Sequence, residues 1–503
     1  MPALGQRIRR SGTPTTGHRR QLLLATAVAA TIVVIATLTS RYGLAELALY
    51  RDAVRSWFAG DGLYSYRSPD SHLGFPLPPA AALLLAPLAI SPLPVAGWVL
   101  ASAGLTALVL ALIVLVGPVA RRHARRRGWA VAAATMLALA TEPVRRTLGL
   151  GHLDLIVFGL VVADVVALRR RLHHRRRAIW WPERAARRGR QPGWWAGVGT
   201  GLATAISAGP ALFIGYLAVT RQWRAALTAL GTAAGTATVA AVVAPRESVV
   251  WFTDVLWSID RTGPIDATDN QSLAGVLARF YDASTTPVLL WLSFSLLLLA
   301  VGLIRARSAH AEGDEAAAFT LVGLTGLTVG PLIGMHSLVW VLPAVLIGVD
   351  VAARWHAASR LPGRRRLLAA RRGLSATRFG ISRRTPLNRY GGSGATPTHD
   401  LPGRVRSALT TSPAALALMV GGALVYLMLL VAPVWAYEHR LPESSHYADG
   451  IVGMLAENTV GFTLILLMTS LPWRPGASPA VHPQPWVPTT RRRPIPPARR
   501  PPP

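Results

Sequence analysis

Glu46 and Asp52 are carboxylates on one amphipathic stretch, AELALYRDAVRSWFA at 45–59, and their places on it decide what each can do. Leu47, Tyr50, Val54 and Trp57 recur at spacings of three and four, which predicts a helix with a single apolar stripe. At about 100° per residue, Glu46 falls at the edge of that stripe and Asp52 nearly opposite it. A carboxylate at such an edge can face the protein body, keep a raised pKa and act as a general base. The same spacing also suits an interfacial anchoring helix with a solvated glutamate, and spacing alone favours that plainer reading.

Three further segments carry polar groups of useful type. TDNQSLAGVLARFYDAS at 268–284 places the amides Asn270 and Gln271 ahead of an apolar run and Arg279. Amides both donate and accept, which suits sugar hydroxyls, and a guanidinium can hold phosphate oxygens in a fork. A capped helix with a surface arginine explains that segment equally well. TEPVRRTLGLGHLD at 141–154 sets Arg145 and Arg146 just before His152 and Asp154. The adjacent arginines either invite an anionic partner or pair with Glu142. His336 follows Gly330-Pro331 between two apolar runs, and a lone histidine is more often structural than functional. There is no HExxH, no HxxxH, no dense carboxylate cluster and no cysteine, so no metal site is expected. No Walker loop or dinucleotide fingerprint is present, which excludes nucleotide chemistry of those kinds.

The elements that must position these residues are mostly apolar helices. The chain has 503 residues, 51% hydrophobic and 15% charged, and its apolar runs are long enough to span a bilayer. The formal charge of +30 comes entirely from arginine, concentrated in the N-terminus, 121–127, 169–190, 353–406 and 491–500. These blocks lie between apolar runs, the pattern of cytoplasmic loops, and are not a nucleic-acid footprint. An all-α polytopic membrane protein follows, of about 12 transmembrane helices, with both termini cytoplasmic. A basic N-terminus (1–20) precedes a retained first span. A membrane module fills 21–352, with outer loops at 40–92 and 244–286. A basic cytoplasmic loop (353–408), two C-terminal helices within 409–471 and a disordered Pro/Arg-rich tail (472–503) complete the chain. The proline-rich piece 78–91 lies along or dips into the outer face, because crossing there would put the 121–127 arginines outside. The pieces 194–208 and 210–219, broken at Gly209-Pro210, go out and back. No internal repeat is evident, which weakens an inverted-repeat transporter.

Taken together, these segments resemble the polyprenol-phosphate-mannose-dependent α-1,2-mannosyltransferases of actinobacteria, membrane enzymes of GT-C type in glycosyltransferase family 87. The resemblance spreads over about 40–345. It is strongest at NQSLAG with Arg279, then at Glu46 to Arg51, at Gly60-Asp61-Gly62-Leu63-Tyr64, and at Pro78-Pro79 before an Ala/Leu-rich helix. ISAGPALFIGYLAVTRQWRAA is similar to the family's fifth and sixth spans. Several positions depart from the family pattern. Glu46 stands for an aspartate, Leu77 for an aromatic, and Ser207 for a lysine. Gly151-His152-Leu153-Asp154 stands for Gly-Gln-x-Asn, and a His-His pair is reduced to His336-Ser337.

The resemblance implies a GT-C-like helical bundle at the plasma membrane, with juxtamembrane helices in the first loop and an active site on the outer face. It implies a polyprenyl-phosphate sugar as donor, a glycolipid or polysaccharide as acceptor, membrane lipids as surroundings, and no cofactor. On that basis Glu46 is the expected base. Tyr50, Arg145, Arg146, His152, Asp154, Asn270, Gln271, Arg279 and His336 are the expected substrate-binding residues, with His336 and either Arg279 or Arg145 on the departing phosphate. The rivals are a lipid-linked-sugar or solute translocase using Asp164 and Glu457, and an inactive glycosyltransferase-like subunit. The sequence leaves open whether a protein partner binds, for example at the 353–408 loop.

Overall fold

A computed structural model describes residues 15–69, 71–123, 127–180, 193–258, 261, 263–281, 287–359, 413–431 and 450–474. The expected cytoplasmic loop at 353–408, the tail beyond 474 and the outermost N-terminus lie largely or wholly outside those residues. Among the described residues eighteen α-helices run in order. They are α1 (Thr15–Tyr42), α2 (Ala45–Ala59), α3 (Pro79–Ile90), α4 (Leu93–His123), α5 (Arg127–Ala140), α6 (Glu142–Leu150) and α7 (Asp154–Trp180). Then come α8 (Val198–Ile206), α9 (Ala211–Val219), α10 (Trp223–Val243), α11 (Pro245–Thr253), α12 (Leu273–Phe280), α13 (Val288–Ala311) and α14 (Glu315–Val329). The last are α15 (Val341–Ser359), α16 (Pro413–Val431), α17 (Gly450–Glu457) and α18 (Thr459–Ser470). Among the described residues there is no strand, only a single bridge between Arg67 and Gly74.

Five of the described helices are long and apolar enough to cross a membrane, and up to 8 if each bent pair counts as one span. The expected total of about 12 counted 194–208 and 210–219 as two crossings, and the structure makes them a short hairpin. A Cβ at Gly197 would strike Ala225, and one at Gly201 would strike Ala229 and Thr232, so α8 runs parallel to α10. Gly193 abuts Ala167 while Gly199 abuts Leu160, so α8 runs antiparallel to α7. Helix α9 then leads back to Gln222 at the start of α10. Each arm has nine residues. That is about 14 Å, roughly half of a hydrocarbon core near 30 Å. The amides at the start of α8 have no helical partners of their own. Asp164 of α7 supplies them, accepting from Gly197 N at 2.9 Å, Gly199 N at 3.3 Å and Thr200 N at 2.6 Å.

Helix α14 is the centre of the bundle. It is buried on nearly every side, from Glu315 to Thr328, as an all-round apolar helix must be. Gly302 admits Thr325 where α13 crosses it, and Gly323 admits the Trp340 ring from the turn before α15. At one end of α14 and α15, Asp314 and Asp350 are fully buried and share Arg474. Arg474 forks onto Asp314 at 2.7 and 2.8 Å and donates its backbone N–H to the same carboxylate at 2.9 Å. At the other end stand α2, α3, α6 and α12.

Helix α2 packs against α3 as its stripe predicts. Leu47, Tyr50, Ala53 and Val54 are buried, while Asp52 pairs loosely with Arg55 on the open face. Arg51 and Arg55 donate to the carbonyls of Leu88 and Ala89 at 3.0 and 2.8 Å, capping the C-terminal end of α3. Helix α2 stops at Gly60, which takes φ 98°, and the following Leu63 and Tyr64 are buried under it. The Tyr64 hydroxyl donates to Leu77 O at 2.9 Å, just ahead of Pro78-Pro79.

Candidate active site

Three segments far apart in sequence deliver the polar groups at the α2 end of the bundle. Glu46 sits half-buried in the first turn of α2. Burial raises its pKa, opposed by His336 nearby and by a hydrogen bond from the Tyr50 hydroxyl, while Asp154 adds to the rise. The second segment is the corner between α6 and α7, which turn by 116°. Gly151 makes that corner at φ 82°, and a Cβ there would stand 2.6 Å from Leu47 Cβ. Both facts demand glycine, because α2 lies directly against the turn. His152 and Asp154 follow immediately. The third segment is the loop from Gly330 to a 3-10 turn at Met335–Trp340, which carries His336 and Ser337.

The imidazoles of His152 and His336 stack with centroids 3.6 Å apart and planes 9° apart. His152 Nδ1 is 3.9 Å from Asp154 Oδ2, and Ser337 Oγ donates to Asp154 Oδ1 at 3.2 Å. Tyr50 meets His152 edge-on at 6.5 Å. Burial, together with the nearby His336 and Arg146, holds the His152 pKa well below the ordinary imidazole range, so this ring is neutral at pH 7. Metal expectations rested on local motifs, and none exists. The fold nonetheless brings His152, Asp154 and His336 together, with one ligand atom from each within 4.8 Å of the others.

The arginines are paired within the protein. Arg145 Nη2 lies 2.8 Å from Glu142, and Arg146 bridges Glu142 at 3.2 Å to Asp269 at 3.1 Å. Tyr42 OH also donates to Glu142 at 2.8 Å. Arg146 is close enough to His152 to act on its charge; Arg145 points to the α16 side, 3.4 Å from Leu430 O. Sequence reading passed over Asp269, which reaches both Arg146 and the space beside Gly334 and His336. Its only signal was its place directly before Asn270.

Asn270, Gln271 and Arg279 do not face this cluster as expected. All are buried and bonded to the protein itself. Asn270 donates to Ile265 O at 2.8 Å and Pro331 O at 3.2 Å, and accepts from Ile333 N at 3.1 Å. Gln271 N donates to Ile333 O at 3.1 Å, and its side chain bonds Thr268 O, Glu457 O and Gly461 N. Ser272 Oγ donates to Pro331 O at 2.9 Å and caps α12 through Gly275 N at 3.2 Å. Gly275 is required there because a Cβ would collide with Asn270. Arg279 spends its guanidinium on Ala267 O at 2.7 Å, Asn270 O at 3.0 Å and Asn458 Oδ1 at 2.8 Å. Its zero exposure removes it as a phosphate ligand. The segment is thus a brace holding 331–333, the approach to His336.

A cavity of about 130 Å³ opens beside the cluster. Asp154, Ser337 and Trp340 line it together with Ser207, Gly209 and Pro210, the tip of the α8–α9 hairpin. The interrupted backbone at Gly209-Pro210 therefore borders a cavity into which Asp154, Ser207 and Ser337 bring polar groups, the setting in which such breaks are tolerated within a membrane. Asp164 and Glu457, the candidate steps of a translocation path, are both committed: Asp164 to α8 as above, and Glu457 to Thr268 at 3.1 Å and Arg279 at 3.7 Å.

The profile of glycosyltransferase family 87 matches residues 75–333, more than half of the chain, including the α6–α7 corner and the brace at 270–279 but neither α2 nor the His336 turn. The chain belongs to glycosyltransferase family 87. This family 87 protein is a membrane-embedded hexosyltransferase. It is 30% identical over 322 residues to a polyprenol-phosphate-mannose-dependent alpha-(1-2)-phosphatidylinositol mannoside mannosyltransferase of Mycobacterium tuberculosis, covering 60% of this chain and 69% of that one. The protein of that name from Mycolicibacterium smegmatis is 28% identical over 337 residues, covering 61% and 70%. A pentamannoside mannosyltransferase of Mycobacterium tuberculosis is 28% identical over 314 residues, covering 60% and 64%. No solved structure gives a significant match.

Proposed function

We propose that this family 87 enzyme moves a mannosyl unit from a polyprenyl-phosphate donor to a glycolipid or polysaccharide acceptor at the outer membrane face, inverting the anomeric carbon. The donor class comes from the names of the relatives. The outer face comes from the charge rule, since α2 and the α6–α7 corner lie at the opposite end of the bundle from the arginine-rich end of α7. The observation that carries the mechanism is Glu46 at the buried edge of α2, with a raised pKa, close to His336 and Asp154.

The reaction is a single displacement. The acceptor hydroxyl attacks the anomeric carbon and gives its proton to Glu46. The bond from that carbon to the phosphate oxygen breaks, and the electron pair leaves with the lipid phosphate. His336 and Arg146 stand on the phosphate side, and a donor aimed at developing charge is worth about 3 kcal/mol. Asp154, Ser337 and Ser207 line the adjoining cavity and offer hydrogen bonds to the sugar hydroxyls. The NQS segment acts at one remove, holding the loop that presents His336.

Glu46→Gln tests this directly in purified full-length enzyme supplied with polyprenyl-phosphomannose and a phosphatidylinositol mannoside. Transfer should fall by about 10²- to 10⁴-fold at unchanged melting temperature. Full retained activity would remove Glu46 as the base. Flipping of the donor across sealed vesicles with no glycosylated product would replace transfer by translocation.

A further inference from the structure

We propose that His152, Asp154 and His336 form a divalent-cation site, filled by a borderline ion of the Zn²⁺ or Mn²⁺ kind, whose open positions take an oxygen of the lipid phosphate. This rests on the transfer reaction above for its role, though not for its existence. Two imidazoles and one carboxylate from three chain positions are a donor set that suits such ions and leaves coordination sites free.

The geometry supports it in several ways. A tetrahedral ion with bonds near 2.0–2.1 Å sets its ligands about 3.3–3.4 Å apart. The His152 Nδ1 to Asp154 Oδ2 distance is already 3.9 Å, and all three donor atoms fall within 4.8 Å. The rings now stack 9° from parallel, so on binding they would turn out of the stack to aim one nitrogen each at the ion. The outer contacts that orient metal ligands are also in place. Ser337 Oγ holds one Asp154 oxygen while the other faces His152, and Thr147 Oγ1 anchors the backbone that carries His336 by donating to its carbonyl at 3.1 Å. The surroundings favour a cation. Glu142 and Asp269 are paired with Arg145 and Arg146, which leaves the carboxylates of Glu46 and Asp154 beside His336.

In the transfer step the ion would act as a Lewis acid on the phosphate, taking up the charge that arrives as the bond to the sugar breaks. No electron is transferred and no other co-reactant is needed.

The test uses the full chain in nanodiscs, stripped by chelator and titrated with Zn²⁺ and with Mn²⁺. One ion per chain should bind by elemental analysis and calorimetry, and His152→Gln and Asp154→Asn should each weaken it about tenfold or more. His356→Gln, at the far end of α15, should bind normally. Co²⁺ in the unmodified protein should show visible bands of nitrogen ligation, a readout that needs no variant to fold. Failure of the unmodified chain to bind any of these ions, or binding unchanged in both ligand variants, overturns the site. Full transfer by the metal-free enzyme overturns the phosphate role while leaving the transferase reading intact. Ion binding without any transfer would instead leave the site standing and sink the transferase reading.

Discussion

Glu46 shows how much one side chain's position on a helix can decide. Its edge location was readable from periodicity, and the structure adds what faces it. Burial pushes its pKa upward, so the base loses its charge at a higher pH than an ordinary glutamate would. A base works only when deprotonated, so the acid limb of kcat/KM should lie above the usual carboxylate range. The Tyr50 hydroxyl hydrogen-bonds the ionised form and counteracts the rise. Tyr50→Phe should therefore move the acid limb to still higher pH, with less effect on the rate at alkaline pH. A pH–rate profile of the two proteins checks this, and an unmoved limb would mean that the limb reports another group.

At the scale of elements, the brace from α12 to the 331–333 loop explains a motif that sequence alone misassigned. Amides at a membrane surface suit sugars, and that chemistry made Asn270 and Gln271 look like ligands. Their partners proved to be backbone groups, among them Pro331 O and Ile333 N for Asn270, 61 and 63 residues away, and Glu457 O and Gly461 N for Gln271, 186 and 190 residues away. Asn270→Ala should leave Ile333 N and Pro331 O without this partner, costing about 1–3 kcal/mol in a thermal melt. It should also lower kcat more than it raises donor KM, because a shift near 1 Å at His336 can cost roughly 100-fold. A lower melting temperature with unchanged kcat would make the brace purely structural. Asn270→Asp keeps the acceptor for Ile333 N and should fall between the two.

Over the whole molecule, stability and chemistry occupy opposite ends of α14 and α15. The far end is held by Arg474 between Asp314 and Asp350, with Arg354 also on Asp350 at 2.9 Å. Burial alone would raise the Asp314 pKa, but Arg474 wins and holds it below the ordinary range. Arg474→Ala should leave buried carboxylates uncompensated and cost about 3–5 kcal/mol, read as a large fall in melting temperature. Its kcat per folded molecule should stay near that of the parent, since Arg474 lies far from Glu46. A selective loss of kcat would instead couple the two ends.

Local rules determined most of the architecture. Apolar run length, arginine placement and turn residues predicted the long apolar helices, the break at Gly209-Pro210, a surface-lying piece at 78–91 and the edge position of Glu46 on its helix. Those features depend on neighbours within one or two helical turns, so the sequence carries them directly. The tertiary structure alone decided which polar groups meet. His152 and His336 stack although 184 residues apart, the separation being 336 less 152. Asp164 caps a helix that begins 34 residues later, and Arg279 turns inward to Asn458, 179 residues away. In an apolar interior every charge and amide must find a partner, and which partner it finds depends on how the helices pack.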